Sequence, residues 1–125
     1  MKVLVVDDSP TMRRIVVNAL RRIGYADTIE APDGLSALTH LAGGVGLIIT
    51  DWSMPEMSGP EFTRAVRAHP QGRSVPILMV TTRGAREEIV AAVAAGVTSY
   101  IHKPFTPPAL KEKIERVLAG VGAAA

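Results

Sequence analysis

The sequence predicts an α/β fold of the doubly wound type: a five-stranded parallel sheet in the order 2-1-3-4-5, with helices on both faces. Short apolar runs without polar alternation recur along the chain, as is typical of strands buried on both faces of a parallel sheet. Each run precedes a segment with helical periodicity, which indicates right-handed βα crossovers. Five such units in 125 residues are too few for an eight-fold barrel, so an open sheet remains.

The first strand and helix have the clearest boundaries. Residues 2–6 are apolar and mostly β-branched, and they stop at Asp7 and Asp8. Ser9 then offers an N-cap, and Pro10 suits the first helical turn. The helix should end at Gly24 and bury one apolar stripe. That stripe comprises Met12, Ile15, Val16, Ala19, Leu20 and Ile23.

The later elements follow the same alternation. The remaining strands are predicted at 25–31, 45–50, 75–81 and 97–102, and the first of them is less apolar, which favours an edge position. A turn at 32–34 leads into a short helix that should end at the glycines 43–44. The other helices are predicted from 59 to 68, from 85 to 95, and from Pro107 or Pro108 onward. Residues 1–119 should form one domain, with 120–125 as a flexible tail or linker stub.

Composition excludes several classes of protein. The apolar fraction of 47% argues against disorder, and the formal charge is only +2. The arginines are scattered, those at helical spacing are interpreted as solvated faces, and aromatic residues make up only 4%, so no nucleic-acid partner is expected. No apolar run approaches the roughly 18 residues of a membrane span. With no cysteine and no signal-peptide pattern, we expect a cytoplasmic protein. We also expect it to be a monomer.

Polar side chains follow four of the predicted strands at the point where each ends. They are Asp7 and Asp8, Asp51, Thr81 and Lys103. In the 2-1-3-4-5 order the first strand neighbours the third, so the three carboxylates should converge at one edge of the sheet. Carboxylates held that close need a proton or a cation between them. Oxygen ligands of this kind suit Mg²⁺.

This arrangement predicts that Asp51 is a nucleophile that accepts a phosphoryl group. Mg²⁺ would screen the incoming group, whose transfer depends mainly on positioning and neutralisation of charge. Lys103 would supply a second positive charge, and Thr81 could donate a hydroxyl hydrogen bond to a phosphoryl oxygen. Thr81 and Tyr100, on neighbouring strands, could then form a bistable pair that reports the modification.

The same residues resemble the phosphorylation segment of response-regulator receiver domains, a family with a flavodoxin-like fold. The pattern Asp-x-x-Met-Pro-x-Met-x-Gly is met by Asp51, Met54, Pro55, Met57 and Gly59. The acidic pair, Thr81 and the segment 95–105 agree with that family, so the resemblance covers essentially the whole chain. The segments 10–16 and 51–55 look most like the stand-alone chemotaxis regulators of the CheY type.

The resemblance implies a role for each matching residue of the site. Asp51 would be the phosphoacceptor, modified by a sensor histidine kinase. Asp8 would bind Mg²⁺ directly and Asp7 mainly through water, while the backbone carbonyl of Ser53 would complete the metal site. Lys103 would pair with the phosphoryl group.

The resemblance also implies a switch and a way to time it. Thr81 would move toward the phosphoryl group and Tyr100 would rotate inward, changing the face formed by the fourth helix, fifth strand and fifth helix. The Lys103–Pro104 peptide bond would be cis, an isomer that costs little only before proline. Ser53 and Arg83 depart from the chemotaxis pattern, which has an amide and an acid there, and they are predicted to tune the phosphoryl lifetime. Thr82 replaces a common alanine.

The favoured function is therefore a two-component response regulator in chemotaxis or motility, a signalling switch with only self-catalysed phosphotransfer and slow autodephosphorylation. Its partners would be the kinase and a flagellar motor switch protein or phosphatase. A phosphorelay intermediate, or the receiver domain of a larger regulator, remains an alternative. An aspartate-nucleophile phosphatase is disfavoured because Ser53 stands where its second acid would be. His40, His69 and His102 do not cluster, and no phosphodonor role is expected for them.

Overall fold

The computed structural model describes residues 1–82 and 86–120 and has the predicted topology. Five parallel strands form one sheet in the order β2-β1-β3-β4-β5. The strands are β1 Val3–Val6, β2 Thr28–Ala31, β3 Leu47–Asp51, β4 Ile77–Thr81 and β5 Ser99–His102. The helices are α1 Pro10–Arg22, α2 Gly34–Leu38, α3 Gly59–Ala68, α4 Arg86–Ala95 and α5 Pro107–Leu118, with a 3₁₀ turn at Leu41–Gly43.

The sheet is the centre of the core and is covered on both faces. Strands β1, β3 and β4 are buried along their whole length, which explains their continuous apolar sequences. Alternate residues of each strand enter opposite clusters, as the two-residue period of a strand requires. One cluster is closed by α1 and α5, and the other by α2, α3 and α4. Because both faces are covered, the open edge at the strand ends is left to form a site.

All five strands start later than the sequence predicts, β1 by one residue, at Val3. Strand β2 begins at Thr28 rather than at 25, because the Tyr25 amide donates to Leu20 O (2.8 Å) and closes α1 instead of joining the sheet. The strands β3, β4 and β5 start two residues later than expected, at Leu47, Ile77 and Ser99. Strand β2 pairs with β1 alone and is the predicted edge.

The buried face of α1 differs from the predicted stripe. Val17 is 1% exposed although it was not assigned to the stripe, whereas Ile15 is 48% exposed. The inward arc is centred on Val16 and Leu20, and this leaves Ile15 at its margin, beside Phe105 in a shallow groove. Two leucines on other helices, Leu35 of α2 and Leu118 of α5, are also exposed. Within the described ranges, no helix has the length and apolar character that crossing a bilayer requires.

Candidate functional site

Two strand ends bring three carboxylates together. Asp7 and Asp8 directly follow β1, and Asp51 is the last residue of β3. The two strands are neighbours, with Val6 paired to Thr50. One carboxylate oxygen from each of Asp7, Asp8 and Asp51 lies within 4.8 Å of the others. This is the convergence that the strand order predicts.

Asp7 shows most clearly why this edge suits a cation. The residue is only 4% exposed, and its Oδ1 accepts a hydrogen bond from the Ser9 amide at 2.9 Å. Burial raises the pKa of Asp7 from 3.8 to about 6, and the negative charges of Asp51 and Asp8 act in the same direction. The Ser9 bond and the Lys103 charge oppose this rise without cancelling it. A divalent ion held by carboxylate oxygens would remove the conflict, so the donor set fits Mg²⁺.

Asp51 is held from two sides. Its Oδ1 accepts a hydrogen bond from the Trp52 amide at 2.8 Å and another from Lys103 Nζ at 3.1 Å. Both ionic side chains are mostly withdrawn from water, at 10% exposed for Asp51 and 19% for Lys103. Lys103 follows β5, and its amide donates to Thr81 O at 3.0 Å. The Lys103–Pro104 peptide bond is cis, the isomer that the resemblance implies.

Thr81 and Tyr100 lie on the same face of adjacent strands. Thr81 is the last residue of β4 and is 1% exposed. Met79 pairs with Tyr100 and Thr81 pairs with His102, so the Thr81 and Tyr100 side chains are diagonal neighbours. The half-buried Tyr100 ring meets the His102 ring edge-on at 5.5 Å, and Lys113 Nζ lies 5.2 Å from its centre. Tyr100 thus lies between Thr81 and the side chains of β5 and α5, and its role as a switch remains a prediction.

The loop from 52 to 58 is tied back to the strand that carries Asp51. The Gly59 amide donates to Trp52 O at 2.7 Å, and a Cβ on Gly59 would lie 2.6 Å from Asp51 O, so only glycine fits there. Ser58 and Glu61 form a capping box that starts α3 immediately afterwards. Glu56, at the turn, has φ of 69°. The loop is consequently fixed against the site at both ends.

Two residues, Ser53 and Arg83, are predicted to tune the phosphoryl lifetime. Ser53 lies in this loop two residues after Asp51, with its side chain exposed. The metal-ligand role of its carbonyl remains a prediction. Arg83 lies outside the described residues, so its role also remains a prediction. His40 and His69 lie away from the strand ends, and His69 Nδ1 accepts a local hydrogen bond from the Gln71 amide.

Two arginines, which the sequence analysis interprets as solvated, instead donate hydrogen bonds to backbone carbonyls. Arg13 Nη1 donates to Asp7 O at 2.7 Å, and its side chain is 16% exposed. Arg67 donates four hydrogen bonds to the carbonyls of Gly72, Val75 and Gly96, and burial lowers its pKa. Sequence analysis missed both because backbone acceptors leave no sequence signal. For Arg13 the one available hint is its place at the start of the helix that follows the acidic pair.

Comparison with known proteins agrees with this geometry. The family model for the response regulator receiver domain matches residues 3–115. The chain is 52% identical to a chemotaxis protein CheY homolog of Campylobacter jejuni, over 99% of both chains. It resembles the structure of Vibrio cholerae chemotaxis protein CheY4 with a TM-score of 0.87 and 40% identity, over 93% of this chain and 97% of that one.

A third relative bears on the metal site. The receiver domain of a Pseudomonas aeruginosa sensor histidine kinase, solved with a magnesium ion coordinated in its active-site cleft, is 28% identical. It superposes with a TM-score of 0.85 and covers 94% of this chain and 97% of its own. The fold, the strand-end site and the family match together define the class: the chain belongs to the response regulator receiver family. Its similarity along nearly the full length to chemotaxis proteins makes it a CheY-like chemotaxis response regulator.

Proposed function

We propose that this regulator is controlled by phosphorylation of Asp51, with the phosphohistidine of a sensor histidine kinase as donor and Mg²⁺ as the required cation. One observation carries the proposal. Asp7, Asp8 and Asp51 bring carboxylate oxygens within 4.8 Å of one another, and an ammonium group lies 3.1 Å from Asp51. Carboxylates and an ammonium group in this arrangement suit a divalent cation and a phosphoryl group better than an organic substrate.

The residues of the chain divide the work of phosphoryl transfer. A carboxylate oxygen of Asp51 attacks phosphorus, the P–N bond to the donor imidazole breaks, and its electron pair leaves with that nitrogen. Asp8, Asp7 and the Ser53 carbonyl would hold Mg²⁺, which supplies positive charge against the phosphoryl oxygens. Lys103, already 3.1 Å from Asp51 Oδ1, would move its ammonium group onto a phosphoryl oxygen. The protein thus catalyses its own modification and its slow reversal, and acts as a switch.

Thr81 and Tyr100 would carry the signal away from the site. The Thr81 hydroxyl would turn toward a phosphoryl oxygen, and Tyr100 would then move inward on the shared face of β4 and β5. This changes the α4–β5–α5 surface, which would bind the output partner. The relatives named as chemotaxis proteins support a flagellar motor switch protein as that partner. Ser53 and Arg83 would set how long the modified state lasts.

Acetyl phosphate and beryllofluoride test the proposal directly. Wild-type protein with Mg²⁺ and acetyl phosphate should gain the mass of one phosphoryl group. Beryllofluoride should change the fluorescence of Trp52, whose amide bonds to Asp51 at 2.8 Å. Asp51→Asn should do neither, whereas Asp27→Asn, an exposed aspartate before β2, should behave as wild type. Equal responses from Asp51→Asn and wild type would show that another residue is the acceptor.

A second experiment addresses the output partner. Immobilised protein is exposed to a purified flagellar motor switch protein with and without beryllofluoride and Mg²⁺. Binding should increase with beryllofluoride for wild type and stay at the basal level for Asp51→Asn. If binding is the same with and without beryllofluoride, the motor switch protein is not the output partner. The assignment of Asp51 as phosphoacceptor would not be affected.

A further inference from the structure

Arg13, near the start of α1, connects three elements beside the acidic edge. Its Nη1 donates to the main-chain carbonyl of Asp7 at 2.7 Å. Its Nε donates to Glu30 Oε1 on the edge strand β2 at 3.3 Å. The arginine side chain is 16% exposed and that of Glu30 is 29% exposed, so this contact is largely shielded from water. A guanidinium can hold both acceptors at once because its donors point in fixed directions.

The carbonyl that Arg13 grips belongs to the peptide unit between Asp7 and Asp8. Rotation of that unit would turn both carboxylates relative to Asp51, whose position is fixed by β3. On the far side, the Ser9 amide binds Asp7 Oδ1 at 2.9 Å, and the Ser9 hydroxyl caps α1 through the Met12 amide. The segment between β1 and α1 is therefore held at two points, at the Asp7–Asp8 peptide by Arg13 and after Asp8 by Ser9.

The charge of Arg13 is paired with a carboxylate, since its Nε lies 3.3 Å from Glu30 Oε1. Glu30 also accepts a hydrogen bond from Arg14 Nη1 at 3.0 Å through its other carboxylate oxygen, Oε2. A paired guanidinium can fix a backbone carbonyl without adding much positive potential beside a cation site. An unpaired one would repel the cation.

We propose that Arg13 is a positioning residue for the Mg²⁺ site, and that Glu30 compensates its charge so that it does not oppose the metal. The inference rests on the metal site of the proposed function and extends it to residues that touch neither metal nor phosphoryl group. Partners of this kind around a metal site typically change affinity by about 10–100-fold when they are removed. Since Arg13 acts through a backbone carbonyl rather than through a ligand atom, we expect the lower end of that range.

Arg14 provides a matched control. It shares Glu30 with Arg13, but its side chain is 54% exposed, and the one hydrogen bond described for that side chain goes to Glu30. Mg²⁺ affinity is measured by titration of Trp52 fluorescence. Arg13→Met, which keeps the aliphatic stem, should bind Mg²⁺ about tenfold more weakly than wild type. Arg14→Met should stay within about twofold, because exposed ion pairs contribute little.

A readout without metal separates positioning from general destabilisation. In Arg13→Met, hydrogen exchange at the Ser9 amide should become faster while exchange in β3 and β4 stays as in wild type. Arg14→Met should leave the Ser9 amide unchanged. If Arg13→Met does not fold, Arg13→Lys serves instead. It retains the charge but cannot hold both acceptors in the same geometry, so a smaller loss of Mg²⁺ affinity is expected.

Glu30→Gln tests the charge compensation. The amide of the glutamine keeps an oxygen that can accept a hydrogen bond from Arg13, but it removes the negative charge that Glu30 places beside the guanidinium. Its Mg²⁺ affinity relative to wild type should fall at low salt and recover at high salt, because screening weakens charge repulsion. The loss in Arg13→Met should persist at every salt concentration. A loss in Glu30→Gln that ignores salt would overturn the compensation argument.

The outcomes distinguish this inference from the proposed function. If wild type binds Mg²⁺ and Arg13→Met and Arg13→Lys bind it equally well, Arg13 is not a positioning residue, although the metal site stands. If wild type itself binds no Mg²⁺, the proposed function is wrong, because it requires this cation for phosphorylation of Asp51. A tenfold loss in Arg13→Met with unchanged Ser9 exchange would also overturn positioning, because the effect would not pass through this segment.

Discussion

Replacing Asp7 with Asn should make the metal-free protein more stable at neutral pH, by up to about 3 kcal/mol. Burial raises the pKa of Asp7 from 3.8 to about 6, with the Asp51 charge adding to the rise. At about 1.36 kcal/mol per pH unit, this shift gives the free energy by which the ionised carboxylate destabilises the folded state. Asparagine carries no charge and keeps an oxygen to accept the Ser9 amide bond of 2.9 Å.

The direction of the pH dependence follows from the proton balance. The folded-state pKa of about 6 lies above the unfolded value of 3.8, so the folded state binds more protons within that window. Wild-type stability from this residue is therefore fully present below about pH 4 and is lost as the pH rises through about 6. The advantage of Asp7→Asn over wild type should grow by about 3 kcal/mol between about pH 4 and pH 8.

Urea unfolding in the presence of EDTA, at several pH values, measures this difference. Asp27→Asn controls for the loss of an exposed aspartate away from the site, and its stability relative to wild type should show no comparable growth. Adding Mg²⁺ at high pH should stabilise wild type and narrow the gap, because the cation binds only the folded site. An advantage for Asp7→Asn that changes by less than about 0.5 kcal/mol over this range would contradict the electrostatic reasoning.

Three other substitutions test separate parts of the structure. Gly59→Ala should lower the free energy of unfolding in urea by about 1–3 kcal/mol, because the added Cβ would lie 2.6 Å from the carbonyl oxygen of Asp51 at the end of β3. An equal loss in Gly43→Ala, where the nearest atom would be 3.5 Å from the added Cβ, would contradict this. Arg67→Met should lower the free energy of unfolding by about 3 kcal/mol, because the carbonyls of Gly72, Val75 and Gly96 lose a hydrogen-bond donor. An unchanged urea midpoint would refute this prediction. Lys103→Ala should still be phosphorylated by acetyl phosphate, but the NMR signals of Tyr100 should not shift; a wild-type shift would exclude Lys103 from signal transmission.

The topology and the acid cluster could be predicted because both follow from local patterns. Continuous apolar runs identify buried parallel strands, and a side chain that ends such a strand must lie at the sheet edge. Asp7 and Asp51 are 44 positions apart in the sequence, yet the order of the strands alone brings them together. Helix starts were equally local, since Ser9 and Ser58 cap their helices with their own hydroxyls.

The features that could not be predicted depend on contacts between distant segments. Ile15 has the same helical spacing as its buried neighbours, and only the orientation of α1 on the sheet, with its buried arc centred on Val16 and Leu20, decides that it stays exposed. Arg67 binds carbonyls up to 29 positions away, and every residue has such a carbonyl, so no residue type marks the contact. Arg13 is hidden for the same reason, because its partner at Asp7 is the backbone.

The ion pair between Lys103 and Asp51 joins residues 52 positions apart in the sequence. The carboxylates of Asp7 and Asp51, which also lie close together, are 44 positions apart. No fragment that lacks β1, β3 or the end of β5 contains Asp7, Asp8, Asp51 and Lys103 together, so the complete arrangement forms only when these strands have assembled into one sheet. The contact between Asp51 and Lys103 therefore depends on the tertiary fold and not on any local segment of the chain.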